Sequence, residues 1–184
     1  MIIFDEPVSV HYGFINVSSV PDGGLGGVFD GGLDGDEVDA GPATSGQSCG
    51  LAGAAVPHRI ALVTGLHTGD VPLTVSWDKQ EPPLDDAWTD VVEVSVELVG
   101  TSLAMETFED GYAATLPQAG WHRARYCAAE MDAGNDLDTP EEGEEAPDRY
   151  LLQLWPAPQA TETLVREGSA IAAYWHRVAR GEEG

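Results

Sequence analysis

The chain has 184 residues, enough for one domain, and its 32 acidic residues outnumber 8 basic ones to give a net charge of −24. Affinity for phosphate depends on Lys and Arg that displace condensed counterions, so this balance argues against direct binding to nucleic acid or to anionic lipid. Basic proteins, cations and small molecules remain as partners. The acidic N-terminus does not resemble a secretory signal, and no stretch is apolar enough to span a bilayer, so we expect a cytoplasmic protein without membrane insertion.

Apolar and polar residues alternate with a period of two along much of the chain, which predicts strands. In the first half this pattern covers residues 8–14, 60–64 and 73–77, and a turn is expected at 69–70 between the second and third of these strands. The clearest strand is 92–98, because its valines and glutamates alternate without error.

The second half continues the meander. Residues 103–107 and 112–116 predict a hairpin, because the turn sequence Glu-Asp-Gly occupies 109–111. Residues 120–127 add a strand, and 150–155 form the last one before a proline. Because like charges dominate the surface, we expect the two arginines of the 120–127 strand to form internal ion pairs with a neighbouring glutamate row.

Those ion pairs involve four named residues. Arg123 and Arg125 alternate on one strand, and Glu93 and Glu97 form a row on the best predicted strand. Charges of opposite sign on adjacent strands stabilise a sheet when they lie side by side. The pattern therefore predicts that these two strands pair.

One helix is predicted near the C-terminus. Ser169 is a good N-cap residue, and Ile171, Trp175 and Val178 follow at helical spacing to form one apolar stripe. We expect this helix to cover a sheet edge or an open end of the fold.

Together these elements predict an all-β fold, namely an antiparallel β-sandwich of about seven or eight strands with one C-terminal α-helix. The whole chain, 1–184, is expected to form a single domain. Residues 21–57 hold 11 of the 22 glycines and predict a mobile loop. Residues 130–148 are predicted to be an acidic loop, and 156–184 a helical extension.

The acidic loop is the strongest candidate for a functional site. Four glutamates at 141–145 would lie along about 16 Å of extended chain, or one charge per ~4 Å, close to the ~3.4 Å per charge of a nucleic-acid strand. Such a ribbon suits a basic groove that normally holds DNA, although a solvated charge run has the same composition. The candidate partner-binding residues are Asp136, Asp138, Glu141, Glu142, Glu144 and Glu145.

Metal binding and catalysis have weaker support. Asp34, Asp36 and Asp39 follow two glycines and are calcium candidates, but the motif occurs once and a single copy would lack half of its ligands. A flexible acidic loop is the alternative. The histidines are scattered and no nucleophile or phosphate-binding motif occurs, so we expect no enzymatic activity and no cofactor.

Three tryptophans allow two interpretations. Trp121, Trp155 and Trp175 fall on two predicted strands and the helix, where they would either line a ligand cleft or belong to the core. Large aromatic side chains in a sandwich more often contribute to the core.

The order of elements also suggests a family. An opening strand at 8–14 leads to a long loop, a Gly/Ala-rich approach at 50–54, an acidic alternating strand, and the sequence LPQAGWHRARYC at 116–127 before the acidic segment. Over residues 7–155 this order resembles the competence protein J family, inhibitors of the bacterial DNA-entry nuclease. The resemblance implies a β-sandwich that masks a nuclease, and an immunity protein that neutralises a toxin is equally compatible.

The sequence therefore predicts an acidic inhibitor or immunity-type protein that blocks a nuclease or another basic partner by anionic occlusion. Two alternatives remain open. The first is a β-sandwich binding module for a cation or a carbohydrate. The second is a structural protein whose acidity is shared by the other proteins of its organism.

Overall fold

The computed structural model describes residues 1–21 and 43–182. Within these ranges the chain forms eleven strands and two helices. The strands are β1 Ile2–His11, β2 Phe14–Val20, β3 Ala52–Gly53, β4 Arg59–Val63, β5 Thr68–Trp77, β6 Asp90–Leu98, β7 Ser102–Glu106, β8 Gly111–Thr115, β9 Gly120–Ala129, β10 Arg149–Pro156 and β11 Thr163–Arg166. The helices are α1 Met131–Leu137 and α2 Ala170–Ala179. Within the described ranges, no helix has the length and apolarity needed to cross a bilayer.

All eleven strands belong to one sheet. Nine of them follow the order β11-β6-β9-β10-β5-β1-β2-β4-β3, and β7 joins β2 as a branch that carries β8. The pairing is antiparallel except between β5 and β10, which run parallel from the pair Leu73 and Tyr150 to the pair Trp77 and Leu154. The mainly β character is confirmed, but the predicted antiparallel sandwich is wrong, because the strands form one mixed sheet that curls into a half-barrel.

A tight corner connects β1 to β2. Tyr12 and Gly13 both have positive φ, 63° and 73°, as in the type I′ turn of a two-residue hairpin. The strands then separate: β1 continues along β5, whereas β2 pairs with β4 and β7. The single predicted strand over 8–14 is therefore wrong. His11 pairs with Phe14 across the turn, so their side chains share a face and the alternation changes parity there. The buried valines of β1 are at positions 8 and 10, whereas Ile15 and Val17 are the buried residues of β2.

Several predicted elements are confirmed. Strand β6 pairs with β9, and β7 and β8 form the predicted hairpin. Helix α2 starts as expected, with the Ser169 hydroxyl accepting a hydrogen bond from Ala172 N at 3.2 Å. The predicted turn at 69–70 is wrong, because both residues lie inside β5.

The long segments differ from their predictions in three places. The predicted loop contains β3, which pairs with β4, and Cys49 and Leu51 next to it are buried. Residues 22–42, which include the calcium candidates Asp34, Asp36 and Asp39, lie outside the described residues. The acidic loop begins with α1, and the helical extension contains β11, which pairs with β6.

The predicted ion pairs link β6 to β9 through Glu93. Its carboxylate accepts from Arg123 Nε at 3.1 Å and from Arg125 Nε at 2.8 Å. Arg125 also binds Glu81 at 2.6 Å, and its guanidinium lies 5.0 Å from the Trp155 ring centre. Both arginines are therefore engaged in ion pairs within the protein.

The three tryptophans occupy different surroundings. Trp155 is buried, as the core interpretation expects, whereas Trp121 is 38% exposed on β9. Trp175 is half-buried on α2, with its ring 5.5 Å from that of Phe14. Their rings have different neighbours, which does not support a shared tryptophan-lined cleft.

Candidate functional site: an acidic groove along strands β1 and β5

The acidic segment, defined here as residues 136–145, is held at its start by α1. Glu130 follows β9 as the N-cap of α1, and its φ of 62° lies in the left-handed region, where the chain turns into the helix. Met131 is fully buried. Its carbonyl oxygen lies so close to Gly65 that a Cβ at that glycine would be 2.2 Å away. Helix α1 therefore packs directly on the connection between β4 and β5, and glycine is the residue that permits this approach.

Asp148 holds the other end of the segment. It is fully buried, and its Oδ2 accepts hydrogen bonds from Leu66 N at 2.9 Å and from the Tyr150 hydroxyl. That hydroxyl also accepts from Gly65 N at 2.6 Å. Burial, followed by the charges of Tyr126 and Asp148, raises the pKa of Tyr150 well above its usual value, so the phenol remains a donor. The chain on each side of the acidic segment, at Met131 and at Asp148, is thus held against the 65–66 connection.

The start of β5 contacts the acidic segment at Asp138 and Pro140. The Asp138 carbonyl accepts from His67 N at 3.2 Å and from Thr68 N at 3.0 Å. Pro140 then lies against Gly69, where a Cβ would approach the proline Cδ to 2.9 Å. The acidic segment consequently follows the start of β5 instead of extending freely into solvent.

Between this segment and the sheet lies an acidic groove of about 610 Å³. Pro7 of β1 and Asp70 of β5 line its sheet side, and Glu141, Glu144 and Glu145 line the opposite side. Four carboxylates therefore border one depression, where low-dielectric walls strengthen their combined field.

The stretch 141–145 is not the extended ribbon that its sequence suggested. Glu144 N donates to Glu141 O at 2.9 Å, and Glu141 N donates to the Glu144 carboxylate at 3.0 Å. Gly143 has φ of 87°, a conformation that favours glycine. The predicted charge spacing along about 16 Å of chain is therefore wrong, because these residues form a compact turn.

All six candidate residues are exposed, but they do not form one cluster. Glu141, Glu144 and Glu145 border the acidic groove, and Glu142 lies on the same turn. Asp136 lies on α1 and faces a different depression, next to Tyr174 of α2. The structure thus brings three of the six together with Asp70, which the sequence did not identify.

Four arginines form ion pairs with carboxylates outside the acidic segment. Besides the two that bind Glu93, Arg166 pairs with Asp86 at 2.8 Å and Arg180 with Glu182 at 3.0 Å. Arg149 lies over the Trp88 ring, 5.4 Å from its centre. These cations stabilise other parts of the fold, and the described residues that line the acidic groove include no Lys or Arg.

Metal ligation finds no support in this part of the chain. Across residues 1–21 and 43–182, no group of three or more His, Cys, Asp or Glu side chains is arranged to hold a metal ion. The groove carboxylates are spread along its two sides.

A further cluster, which sequence analysis missed, lies beside the groove. The rings of His11, Tyr12, His67 and Phe108 meet at the β1–β2 corner. They come from three separate parts of the chain, so no local pattern connects them.

Comparison with known proteins yields similarity at the level of fold. No family model and no curated protein matches the chain. Among solved structures, ComJ from Bacillus subtilis, an inhibitor of the DNA degrading activity of NucA, shares 14% identity with a TM-score of 0.50, covering 85% of this chain and 98% of that one. The crocagin biosynthetic gene J product shares 14% identity with a TM-score of 0.45, over 86% and 100% of the two chains. The likeness to ComJ supports a common fold.

Proposed function

We propose that the protein is a non-enzymatic inhibitor that binds a nuclease and blocks its basic nucleic-acid cleft with the acidic groove. One observation carries the proposal: Glu141, Glu144 and Glu145 are exposed with Asp70 around one depression, on a segment tied to the core at both ends. The fold that the chain shares with a nuclease inhibitor supports the same function.

Anchoring makes these charges suitable for binding. Two like charges 4 Å apart repel by about 1 kcal/mol even in bulk water, and by more near a protein surface. The bonds of Asp148 and the Asp138 carbonyl hold the segment in place despite this repulsion. A cationic surface would relieve the repulsion, and the segment would lose little conformational freedom on binding.

The groove charge is expected to act mainly on the association rate. Complementary fields steer two proteins together, and this steering weakens as salt screens the charges. Anions are also what a nuclease cleft accepts, since its normal ligand is a polyphosphate. The inhibitor therefore competes with DNA for the same cationic surface.

Reversal of the groove charges tests the proposal. We expect replacement of Glu141, Glu142, Glu144 and Glu145 by Lys to abolish inhibition of DNA cleavage and leave the fold intact, because all four side chains are exposed. Cleavage of a fluorescent DNA duplex by NucA, and by each nuclease purified from the source organism, measures the effect.

A matched control distinguishes the effect of the groove charges on inhibition from the effect of net charge. The double variant Glu141→Lys/Glu142→Lys and the double variant Glu97→Lys/Glu167→Lys change the net charge equally, at exposed positions on different surfaces. Weaker inhibition by the first pair alone supports the acidic groove. Equal loss in both would mean that bulk charge, not this site, governs binding, and lack of inhibition of every nuclease by the unmodified protein would refute the function.

A further inference from the structure

Four aromatic side chains form a compact ring cluster at the β1–β2 corner. The Tyr12 ring centre lies 4.5 Å from that of His11, 5.3 Å from His67 and 5.7 Å from Phe108. Tyr12 stands nearly perpendicular to all three, and His11 stacks on Phe108 at 5.3 Å. Such edge-to-face and stacked contacts stabilise a fixed arrangement of rings.

The ring cluster is open to solvent, and backbone hydrogen bonds hold the two turns that carry it. Tyr12 is 52% exposed and Phe108 is 37% exposed. Gly13 N donates to His67 O at 2.9 Å, which ties the hairpin turn to the start of β5. Thr107 N donates to Asp110 O at 2.9 Å and closes the turn that carries Phe108. The backbone therefore holds large apolar side chains at the surface, although such side chains are usually buried.

Two acidic residues lie on the segments that carry these rings. Asp110 lies in the same turn as Phe108, and the exposed Asp70 lies two residues after the Thr68 that pairs with His11. The Tyr112 hydroxyl accepts from Ser9 N at 2.9 Å, and Ser9 pairs with Asp70. Burial raises the pKa of Tyr112, and the charges of Asp110, Asp70 and Glu6 raise it further. Asp70 and Asp110 thus add negative charge beside the cluster.

The cluster is also continuous with the acidic groove. His67 belongs to the ring cluster, and its backbone N–H binds the Asp138 carbonyl of the acidic segment. Thr68 and Gly69, the next two residues, line the groove itself. A partner seated on the groove would therefore reach the rings without a gap.

We propose that the ring cluster binds an arginine or lysine side chain of the same basic partner through cation–π contact. Aromatic rings attract a cation over their faces, and the neighbouring carboxylates of Asp70 and Asp110 add to that attraction. Exposed aromatic residues in a fixed geometry are typical anchors of protein interfaces. The inference rests on the proposed function, since it assumes a cationic partner, and it adds an anchor that recognises one side chain.

NMR titration of the labelled full-length protein with the peptide acetyl-Arg-Gly-Arg-amide tests this site directly. We expect the aromatic resonances of Tyr12 and Phe108 to shift saturably, and more strongly with arginine than with the lysine version of the peptide, because the planar guanidinium stacks on rings. The double variant Tyr12→Asn/Phe108→Ala should weaken peptide binding by roughly threefold to tenfold. Asparagine suits the positive φ at position 12, so the turn is retained.

The variant Tyr174→Ala is the matched control, because Tyr174 is a 40% exposed aromatic residue on α2. It should bind the peptide as the unmodified protein does. Shifts confined to the acidic segment, with unchanged affinity in the double variant, would overturn the ring-cluster proposal and leave the groove in place. Absence of saturable shifts anywhere would contradict both. If the double variant does not fold, the shift map of the unmodified protein decides.

Discussion

At the scale of single residues, Asp148 determines how the acidic segment is held. It is the acceptor for Leu66 N and for the Tyr150 hydroxyl in a fully buried position. Gly134 of α1 leaves room for it, since a Cβ there would lie 2.4 Å from the Asp148 carboxylate. One buried carboxylate thus joins the helix, the β4–β5 connection and β10.

Replacement of Asp148 by Ala should destabilise the protein by about 1–3 kcal/mol, because it leaves buried donors without an acceptor. Urea denaturation followed by tryptophan fluorescence measures this change. Asp136→Ala is the matched control, and we expect an effect within about 0.5 kcal/mol because Asp136 is exposed. Equal effects of the two variants would show that Asp148 does not anchor the segment.

At the scale of elements, the position of α1 depends on the close approach between Gly65 and Met131. A side chain at position 65 would meet backbone, which cannot move away as a flexible side chain would. The helix is also short and has no side-chain N-cap hydrogen bond. Its stability therefore comes from packing more than from helix propensity.

Gly65→Ala should displace α1 and cost about 1–3 kcal/mol, the range for overpacking a well-packed site. Hydrogen exchange followed by mass spectrometry should show faster exchange in α1, in the acidic segment and in the first turn of α2, because Ala170 N and Ile171 N donate to the Asp132 carboxylate of α1 at 3.0 and 2.9 Å. The β6–β9 pair should remain protected as before. The β6 and β9 amides serve as the internal control. Uniformly faster exchange would mean that the substitution weakens the whole fold and that the contact has no local role.

At the scale of the whole molecule, the net charge of −24 opposes folding. Self-repulsion destabilises a compact state and is weakened by salt. This cost applies to the entire surface and is separate from the local field of the groove. The effect of salt on stability can therefore also test the alternative that the protein binds a cation.

Raising NaCl from about 20 to 500 mM should raise the melting temperature. A gain of about 1 kcal/mol corresponds to roughly 2–4 °C for a chain of this size. Calcium chloride at equal ionic strength is the comparison. The same rise indicates screening alone, whereas an additional saturable rise at low calcium would support a cation site. A melting temperature that is insensitive to NaCl would contradict the repulsion argument.

Much of the strand content was accessible from the sequence, because burial of one sheet face forces a period of two. This reasoning correctly located β6, the β7–β8 hairpin, the pairing of Arg123 and Arg125 with Glu93, and the Ser169 cap. The charge density of the acidic segment is also a property of composition. Its role in binding a partner stays a prediction.

Tertiary structure alone decided which strands became neighbours. Period two reports which side of a strand is buried but carries no information on the partner strand, so the parallel β5–β10 pair and the single curled sheet were not foreseeable. The same reason hid the ring cluster and the addition of Asp70 to the groove, since both join residues distant in sequence. Local chemistry set the elements, whereas long-range packing brought the charged and aromatic side chains to one surface.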